Sequence, residues 1–327
     1  MSANMQPLFA LPVSALAWLG RQGTRAIAAL VFIGIAIPPL GAVLKPYVTE
    51  AVFVLLCISF MRVDVAAMRG YLARPGLVIV ATIWSALAVP LLFGLGGVVS
   101  GFDKASPDLF LGLMLQAVAS PMMASPALVA LMGLDSTLVL ITLVTSTALV
   151  PLSAPLFAWL FFGSALTLSP LALGLKLLAM LAGAILVAAL IRRFVGAEAI
   201  VRYRQPIDGI NIIVLLVFVS AVMGTVAASF WAEPARVLLL TAFAFVVFGV
   251  LLGATMLAFR KVGGEKALAL GLMVSQRNMG LMLAATDGAL PGLTWLYFAL
   301  AQFPIYVSPQ LLKPLVRGLQ RTPTASP

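Results

Sequence analysis

The sequence has no histidine, a single cysteine and few charged residues. Asp, Glu, Lys and Arg together make up 9% of its 327 residues, against roughly 25% in a typical soluble domain. Without histidine, the chain lacks Ser-His-Asp and Cys-His catalytic machinery and the commonest metal ligand. The lone Cys57 can form neither a disulfide within the chain nor a paired-cysteine metal motif. We therefore expect no enzyme, no bound metal and no cofactor.

Apolar residues, by contrast, account for 63% of the chain, and the mean hydropathy is +1.15. Such a chain cannot cover a globule with polar groups. This predicts an all-α integral membrane protein of several apolar spans, with the lipid bilayer as its first partner. The net charge of +10 does not indicate nucleic-acid binding, because the basic residues are spread over short loops, as membrane topology requires.

Short polar or charged segments divide the chain into about ten apolar runs. The length of most runs is close to the roughly 20 residues that cross a bilayer as a helix. The runs are 26–43, 47–61, 75–100, 109–131, 136–163, 169–191, 207–230, 236–259, 266–286 and 292–312. If the N-terminus is cytoplasmic, only Lys45, Lys104 and Arg236 fall in outer segments. This asymmetry predicts that both termini lie in the cytoplasm and that the protein resides in the plasma (inner) membrane.

Ten crossings divide into two sets of five. A set of five crossings ends on the side of the membrane opposite to where it began. The segments 26–163 and 164–318 are therefore predicted to be inverted repeats, an arrangement common in secondary transporters. Residues 1–25 would then form a short interfacial segment, and residues 319–327 a cytoplasmic tail.

Two polar interruptions fall at corresponding places in the fourth and ninth runs. SPMMASP, with two prolines, occupies 120–126, and SQRNMG occupies 275–280. Unwound backbone at membrane depth is tolerated only where it is buried in protein or lines a cavity. Breaks in helices 4 and 9 therefore point to a binding site near the middle of the membrane.

Arg277 lies near the centre of the ninth run, where an arginine costs roughly 2.5–3.5 kcal/mol on insertion scales. Three interpretations are open, and they can overlap: an ion pair with an acidic residue from a helix end, a cap for backbone carbonyls at the broken fourth helix, and a site for an anion. Lys176, in the sixth run, either extends to the outer interface or lines a substrate pathway.

Four hydroxyl side chains fall close together in the fifth run, and each either bonds a helix or faces a substrate or ion. They are Thr142, Thr145, Ser146 and Thr147.

Several motifs follow one another in a fixed order: PPLGAVLKPY (38–47), FMRVDVAAMR (60–69), the stretch 118–155 with its small-residue break and Ser-Thr-x-x-x-Pro ending, and QRNMGL (276–281). Over about residues 26–318 this succession resembles the bile acid:sodium symporter family. The resemblance implies a panel domain of helices 1, 2, 6 and 7 and a core domain of helices 3–5 and 8–10. It also implies alternating access and organic-anion substrates, including sterol conjugates and small carboxylates.

The sequence departs from the sodium-coupled members of that family where they bind sodium. Their Ser-Asn pair after the fourth-helix break aligns with Pro126 and Ala127, an acidic residue of their ninth helix with Met273, and a glutamine with Arg277. A hard cation needs several oxygen ligands, and a fixed cation at ~4 Å costs roughly 4 kcal/mol at an effective dielectric of 20. We therefore expect no sodium at the usual place. The family's arsenite exporters have a cysteine near the position of Ser120, so arsenite export is not expected.

The sequence thus predicts a sodium-independent carrier of a small organic anion, a carboxylate or a sulfonate. In it, Arg277 replaces the charge of sodium, assisted by helix N-termini at the crossing. The other expected binding residues are polar neighbours of the two breaks: Asn278, Gln276, Ser120, Ser125, Thr147, Ser146 and Ser85. Two alternatives remain: a sodium-coupled symporter with a rearranged ion site, and a membrane sensor that binds a ligand without transporting it.

Overall fold

The computed structural model describes residues 6–63, 75–162 and 168–321, and the regular elements within these ranges are helices. In chain order the α-helices are α1 (Gln6–Ala36), α2 (Pro38–Leu44), α3 (Val48–Met61), α4 (Gly76–Ile83), α5 (Val89–Val99), α6 (Phe102–Ala105), α7 (Pro107–Val118), α8 (Ser125–Leu131), α9 (Ser136–Phe157), α10 (Pro170–Val195), α11 (Ala197–Arg202), α12 (Arg204–Met223), α13 (Val226–Ala232), α14 (Pro234–Ala258), α15 (Gly264–Ser275), α16 (Met279–Ala285), α17 (Gly292–Leu300), α18 (Gln302–Leu311) and α19 (Lys313–Arg321). Two π-helical turns, Trp84–Ala88 and Ala158–Phe162, continue α4 and α9.

Six continuous helical stretches within the described ranges are long and apolar enough to cross a membrane. They are Pro38–Met61, Gly76–Val99, Ser136–Phe162, Pro170–Val195, Arg204–Ala232 and Pro234–Ala258. Large apolar side chains project from these stretches; Leu152, Leu171 and Leu239 are each more than 70% exposed. Exposure on this scale suits contact with lipid rather than water. The chain is an all-α, multi-pass membrane protein.

The first two predicted runs, 26–43 and 47–61, have a wrong boundary. The chain breaks at Ile37 instead, and residues 38–61 form one continuous stretch that passes through a 3₁₀ turn at Lys45–Tyr47. Two prolines at 38 and 39 cause the break, because neither can donate the N–H that would extend α1. Lys45 had suggested a loop, but it lies inside the helical stretch.

Several sequence-based predictions fall on residues outside the described ranges. These are the first five residues, the second half of the motif at 60–69, the predicted repeat junction at 163–164 and the end of the predicted tail after Arg321. Helix α1 consists of two helical parts joined by a kink at Gly23, whose φ of 50° is not helical, and this kink lies two residues before the predicted boundary at residue 25.

The chain divides into two compact units. The first comprises Met1–Val63 with Ala179–Ala232, and α1 and α2 pack along α12 within it. A Cβ added to Gly41 would lie 2.6 Å from the Cα of Gly224, so glycine is required for this close approach. The guanidinium of Arg192 donates to the carbonyls of Met61 and Val63 at 3.0 and 2.7 Å, which caps the end of α3.

The second unit comprises Asp64–Leu178 with Glu233–Pro327. Helix α9 packs against α4, α8 and α15, helix α14 against α15, and helix α7 against α17. The hydroxyls of Thr82 and Thr145 lie 2.6 Å apart and join α4 to α9. This unit contains both predicted interruptions and every residue of the predicted site.

Candidate functional site

The interruption predicted at 120–126 is present and begins one residue earlier. Helix α7 ends at Val118, and α8 begins at Ser125. Ala119 adopts an extended conformation, with φ −59° and ψ 147°. Pro121 cannot supply the N–H that would continue α7, whereas Pro126 suits the first turn of α8, where an N–H is not needed.

The interruption predicted at 275–280 is also present. Helix α15 ends at Ser275, and α16 begins at Met279. The side-chain oxygen of Asn278 accepts a hydrogen bond from the N–H of Leu281 at 3.2 Å, as an N-cap does. Asn278 therefore starts the second half of this helix instead of presenting its oxygen to a ligand.

The two interruptions pair with each other as a short antiparallel bridge. The N–H of Met122 donates to the carbonyl of Gln276, and the N–H of Asn278 donates to the carbonyl of Ser120, both at 2.7 Å. Pro121 and Arg277 face each other between these bonds. Facing residues at such a position exchange no backbone hydrogen bond, which explains why a proline fits there. Each break thus satisfies backbone groups that the other leaves open.

Arg277 is only 2% exposed, and its guanidinium binds backbone oxygens. Nη1 donates to the carbonyl of Ala119 at 3.0 Å and to the carbonyl and hydroxyl of Ser85, each at 3.2 Å. Nη2 donates to the carbonyl of Ser85 at 3.2 Å. The interpretation of Arg277 as a carbonyl cap is therefore realised in the structure, at the end of α7 and in the helix 76–99.

The carbonyl of Ser85 is free to accept from Arg277 because of a π-helical turn. Within this turn, the N–H of Val89 donates to the carbonyl of Trp84. The next residue, Pro90, has no N–H, so the helix offers no donor to Ser85 five residues on. The carbonyl of Ala119 is likewise open, since it follows the last residue of α7.

Arg277 forms no ion pair within the part of the chain that the structure describes. The ion-pair interpretation is therefore unsupported there, and the positive charge is buried without a carboxylate partner. Lys176 does have an acidic partner, since its amine contacts the carboxylate of Asp287. This ion pair between Lys176 and Asp287 was not predicted from the sequence.

One edge of the Arg277 guanidinium has no protein acceptor among the described residues. A guanidinium carries five N–H donors in a planar fork. Nε is buried without a partner, and Nη2 makes a single bond, to Ser85. The Nε–H and the second N–H of Nη2 lie parallel on the same edge of the fork, which is the geometry that binds a carboxylate through two hydrogen bonds.

Two of the predicted binding residues bond each other instead. The hydroxyl of Ser125 donates to Oε1 of Gln276 at 3.0 Å, and Nε2 of Gln276 donates to the carbonyl of Ile305 at 3.4 Å. Both side chains are fully buried. They hold the two broken helices and α18 together, and this use explains their polarity.

Five buried hydroxyls in this unit have no hydrogen-bond partner within the described ranges: Ser120, Thr142, Ser146, Thr147 and Ser153. The last four are on α9, which contacts α8, α15 and the π-helical turn at 84–88. Buried polar atoms nearly always have a partner, so these unpaired hydroxyls indicate water or a ligand. Thr145 differs, because it bonds the carbonyls of Ile141 and Thr142 and the hydroxyl of Thr82.

The N-termini of the half-helices contribute less than the sequence suggested. Helices α8 and α16 contain only seven residues each, and Asn278 already occupies the first turn of α16. The positive electrostatic potential at the crossing therefore comes mainly from the formal charge of Arg277.

The two carbonyls that bind Arg277 and one buried polar pair were not predicted from the sequence. Ala119 and Ser85 act through their backbone, which side-chain chemistry does not reveal; the one signal was Pro90, five residues after Ser85. The hydroxyl of Tyr297 donates to Oε1 of Gln116, and both residues are buried. A glutamine in the middle of the fourth run was a visible signal for this pair.

No protein-family model matches the chain, and no curated protein matches it. Among the residues that the structure describes, no group of three Cys, Asp or Glu could hold a metal ion.

Proposed function

We propose that this protein is a sodium-independent secondary transporter of small organic anions, in which Arg277 supplies the charge that binds the substrate. The main observation behind this proposal is that the buried guanidinium has no acidic partner among the described residues and that the donors of one edge have no acceptor there. A carboxylate placed against Nε and Nη2 would neutralise the charge and satisfy both donors. Ser120, Ser146 and Thr147 supply hydroxyls for the rest of the polar group.

The other edge of the guanidinium supports the sodium-independent part of the proposal. The carbonyls of Ser85 and Ala119 and the hydroxyl of Ser85 surround Nη1 at 3.0 to 3.2 Å. Carbonyl and hydroxyl oxygens are also the ligands that hard cations prefer. A permanent guanidinium on these oxygens takes the place of a cation and repels a second one.

The paired breaks support a transporter with inverted repeats. An antiparallel bridge has local twofold symmetry, and Pro121 and Arg277 lie on either side of its axis. Corresponding segments of two inverted repeats meet in this way when the symmetry axis lies in the membrane plane. We extend this pairing to ten crossings in two sets of five, with both termini in the cytoplasm of a plasma-membrane protein.

The division of the chain supports alternating access between two bodies. One compact unit holds 1–63 and 179–232, and the other holds 64–178 and 233–327. The resemblance to the bile acid:sodium symporter family assigns nearly the same stretches to a panel domain and a core domain. The one difference is the start of α10, which lies in the second unit here. Because Arg277 is 2% exposed, a substrate needs a movement that opens the site.

A second candidate is sodium-coupled transport through a rearranged site. The unpaired hydroxyls of Ser120, Thr142, Ser146 and Thr147 are the observation in its favour, since their oxygens are suitable sodium ligands. This candidate predicts that sodium raises substrate affinity even after the charge of Arg277 has been removed.

Ligand binding to the purified protein distinguishes the two candidates. We expect benzoate or cholate to raise the melting temperature equally in sodium chloride and in choline chloride. At 100 times its Kd, a ligand adds about 2.7 kcal/mol to the stability of the state that binds it. Benzyl alcohol, which lacks the carboxylate, gives the baseline.

Two variants assign the binding to Arg277. Arg277→Gln should lose the stabilisation by the carboxylate, because the charge and the open edge are removed. Ser125→Ala breaks a hydrogen bond at the same crossing without changing charge, and it should keep the stabilisation. If the ligands stabilise the wild type only in sodium, the sodium-independent proposal is wrong and the second candidate is favoured.

A further inference from the structure

A cleft opens in the second unit between α4 and the end of α14. Its volume is about 460 Å³, within the roughly 300–1,000 Å³ typical of ligand pockets. Gly76, Val80, Ile83 and Trp84 form one wall, and Phe259 belongs to the other. None of the residues that bond Arg277 lines this cleft, although Trp84 and Ala88 in its lining belong to the π-helical turn that contains Ser85.

The cleft has a fixed floor. Nε1 of Trp84 donates to the hydroxyl of Thr255 at 3.0 Å. The rings of Trp84 and Phe259 meet edge to face, with centroids 6.3 Å apart. Since this indole N–H is already bonded, the walls offer mainly apolar surface, and they are formed before any ligand binds.

The cleft lies at the ends of two helical stretches that are long and apolar enough to cross a membrane. The apolar stretch Pro234–Ala258 ends beside it, and the stretch Gly76–Val99 begins there. Lys261 lies in the lining, and Arg260 and Lys266 are close to it in sequence; all three are exposed. None of the three forms an ion pair within the described part of the chain. Residues 260–266 contain one acidic residue, Glu265, so the net charge of this basic stretch is positive.

We propose that this cleft binds one anionic glycerophospholipid, with an acyl chain against the apolar walls and the phosphate group beside Lys261 and Arg260. An apolar slot beside a cation that forms no ion pair among the described residues fits an anionic amphiphile. A zwitterionic lipid would leave the basic stretch uncompensated. A second copy docked by the same face would bring two basic stretches together. This site is independent of the proposed transport function.

Native mass spectrometry of the full-length protein tests this proposal, with phosphatidylglycerol and phosphatidylcholine of the same acyl composition as probes. We expect the wild type to retain one phosphatidylglycerol at least about fivefold more tightly than phosphatidylcholine, the preference that one basic residue near a surface provides. Lys261→Gln should reduce this preference by about fivefold. Val80→Trp, which fills the slot, should reduce the binding of both lipids.

Lys104→Gln is the matched control, because it removes an exposed positive charge on α6, outside the cleft lining, and should leave the preference unchanged. Equal binding of the two lipids by the wild type would overturn the proposal. So would an equal loss in Lys104→Gln and Lys261→Gln, or a Val80→Trp variant that keeps its melting temperature and still binds both lipids as the wild type does. If another part of the chain fills the cleft, neither lipid binds, which also contradicts it.

Discussion

The two edges of the Arg277 guanidinium differ in their hydrogen bonding. One edge caps the carbonyls of Ser85 and Ala119, and the donors of the other edge have no acceptor among the described residues. Carbonyl dipoles lower the cost of burying the charge but do not neutralise it. The carbonyl contacts therefore hold the guanidinium in place, and the remaining charge is available to an anion.

Replacing Arg277 by lysine should show whether the fork geometry matters as well as the charge. Arg277→Lys keeps a cation but loses the two parallel donors, and a lysine is a point charge rather than a bidentate group. We expect the affinity for benzoate to fall about tenfold, the effect of losing one charge-assisted hydrogen bond. Isothermal titration calorimetry measures this change, with Arg236→Lys, in an exposed position, as the control. Equal affinities of Arg277→Lys and the wild type would contradict bidentate binding.

At the scale of elements, the breaks and the π-helical turn create the site. The positions of both breaks could be predicted, because proline and polar residues in an apolar run have direct effects on backbone hydrogen bonding. The pairing of the breaks could not be predicted, because it depends on which distant backbone groups meet. Likewise, Ser85 was predicted as a binding residue because of its polar side chain. Two of its three hydrogen bonds with Arg277 are made instead by its carbonyl, which has no helical donor because Pro90 lacks an N–H.

Restoring a backbone donor to the helix 76–99 tests the role of this turn. Pro90→Ala supplies an N–H that can bond the carbonyl of Ser85, which would then compete with Arg277 for the same oxygen. We expect the affinity for benzoate to fall about five- to tenfold, as for one lost hydrogen bond. Leu91→Ala, on the exposed side of the same helix, is the control and should bind benzoate as the wild type does. An unchanged affinity in Pro90→Ala would show that the carbonyl of Ser85 does not position the guanidinium.

At the scale of the whole molecule, composition alone predicted an all-α membrane protein, because 9% charged residues cannot cover a water-soluble fold. The starts and ends of spans were predicted well where loops are polar. The boundary between the first two runs was wrong, because Lys45 indicated a loop, whereas the chain breaks before the prolines at 38 and 39. The partner of Lys176 was missed because Asp287 is 111 residues away and sequence distance gives no indication of contact.

Under the proposed function the molecule must also move, since a closed site at Arg277 transports nothing unless it opens in turn to each side. Transport requires this movement in addition to binding. A flux measurement therefore tests the account more completely than any ligand titration, and it separates a carrier from a sensor that only binds.

The most direct measurement is uptake of radiolabelled benzoate or cholate into proteoliposomes, with sodium or choline as the only cation on both sides. The account predicts saturable uptake at the same initial rate in both salts, and a loss of at least about tenfold in Arg277→Gln. Uptake that requires sodium in the wild type, or that persists unchanged without Arg277, would contradict it.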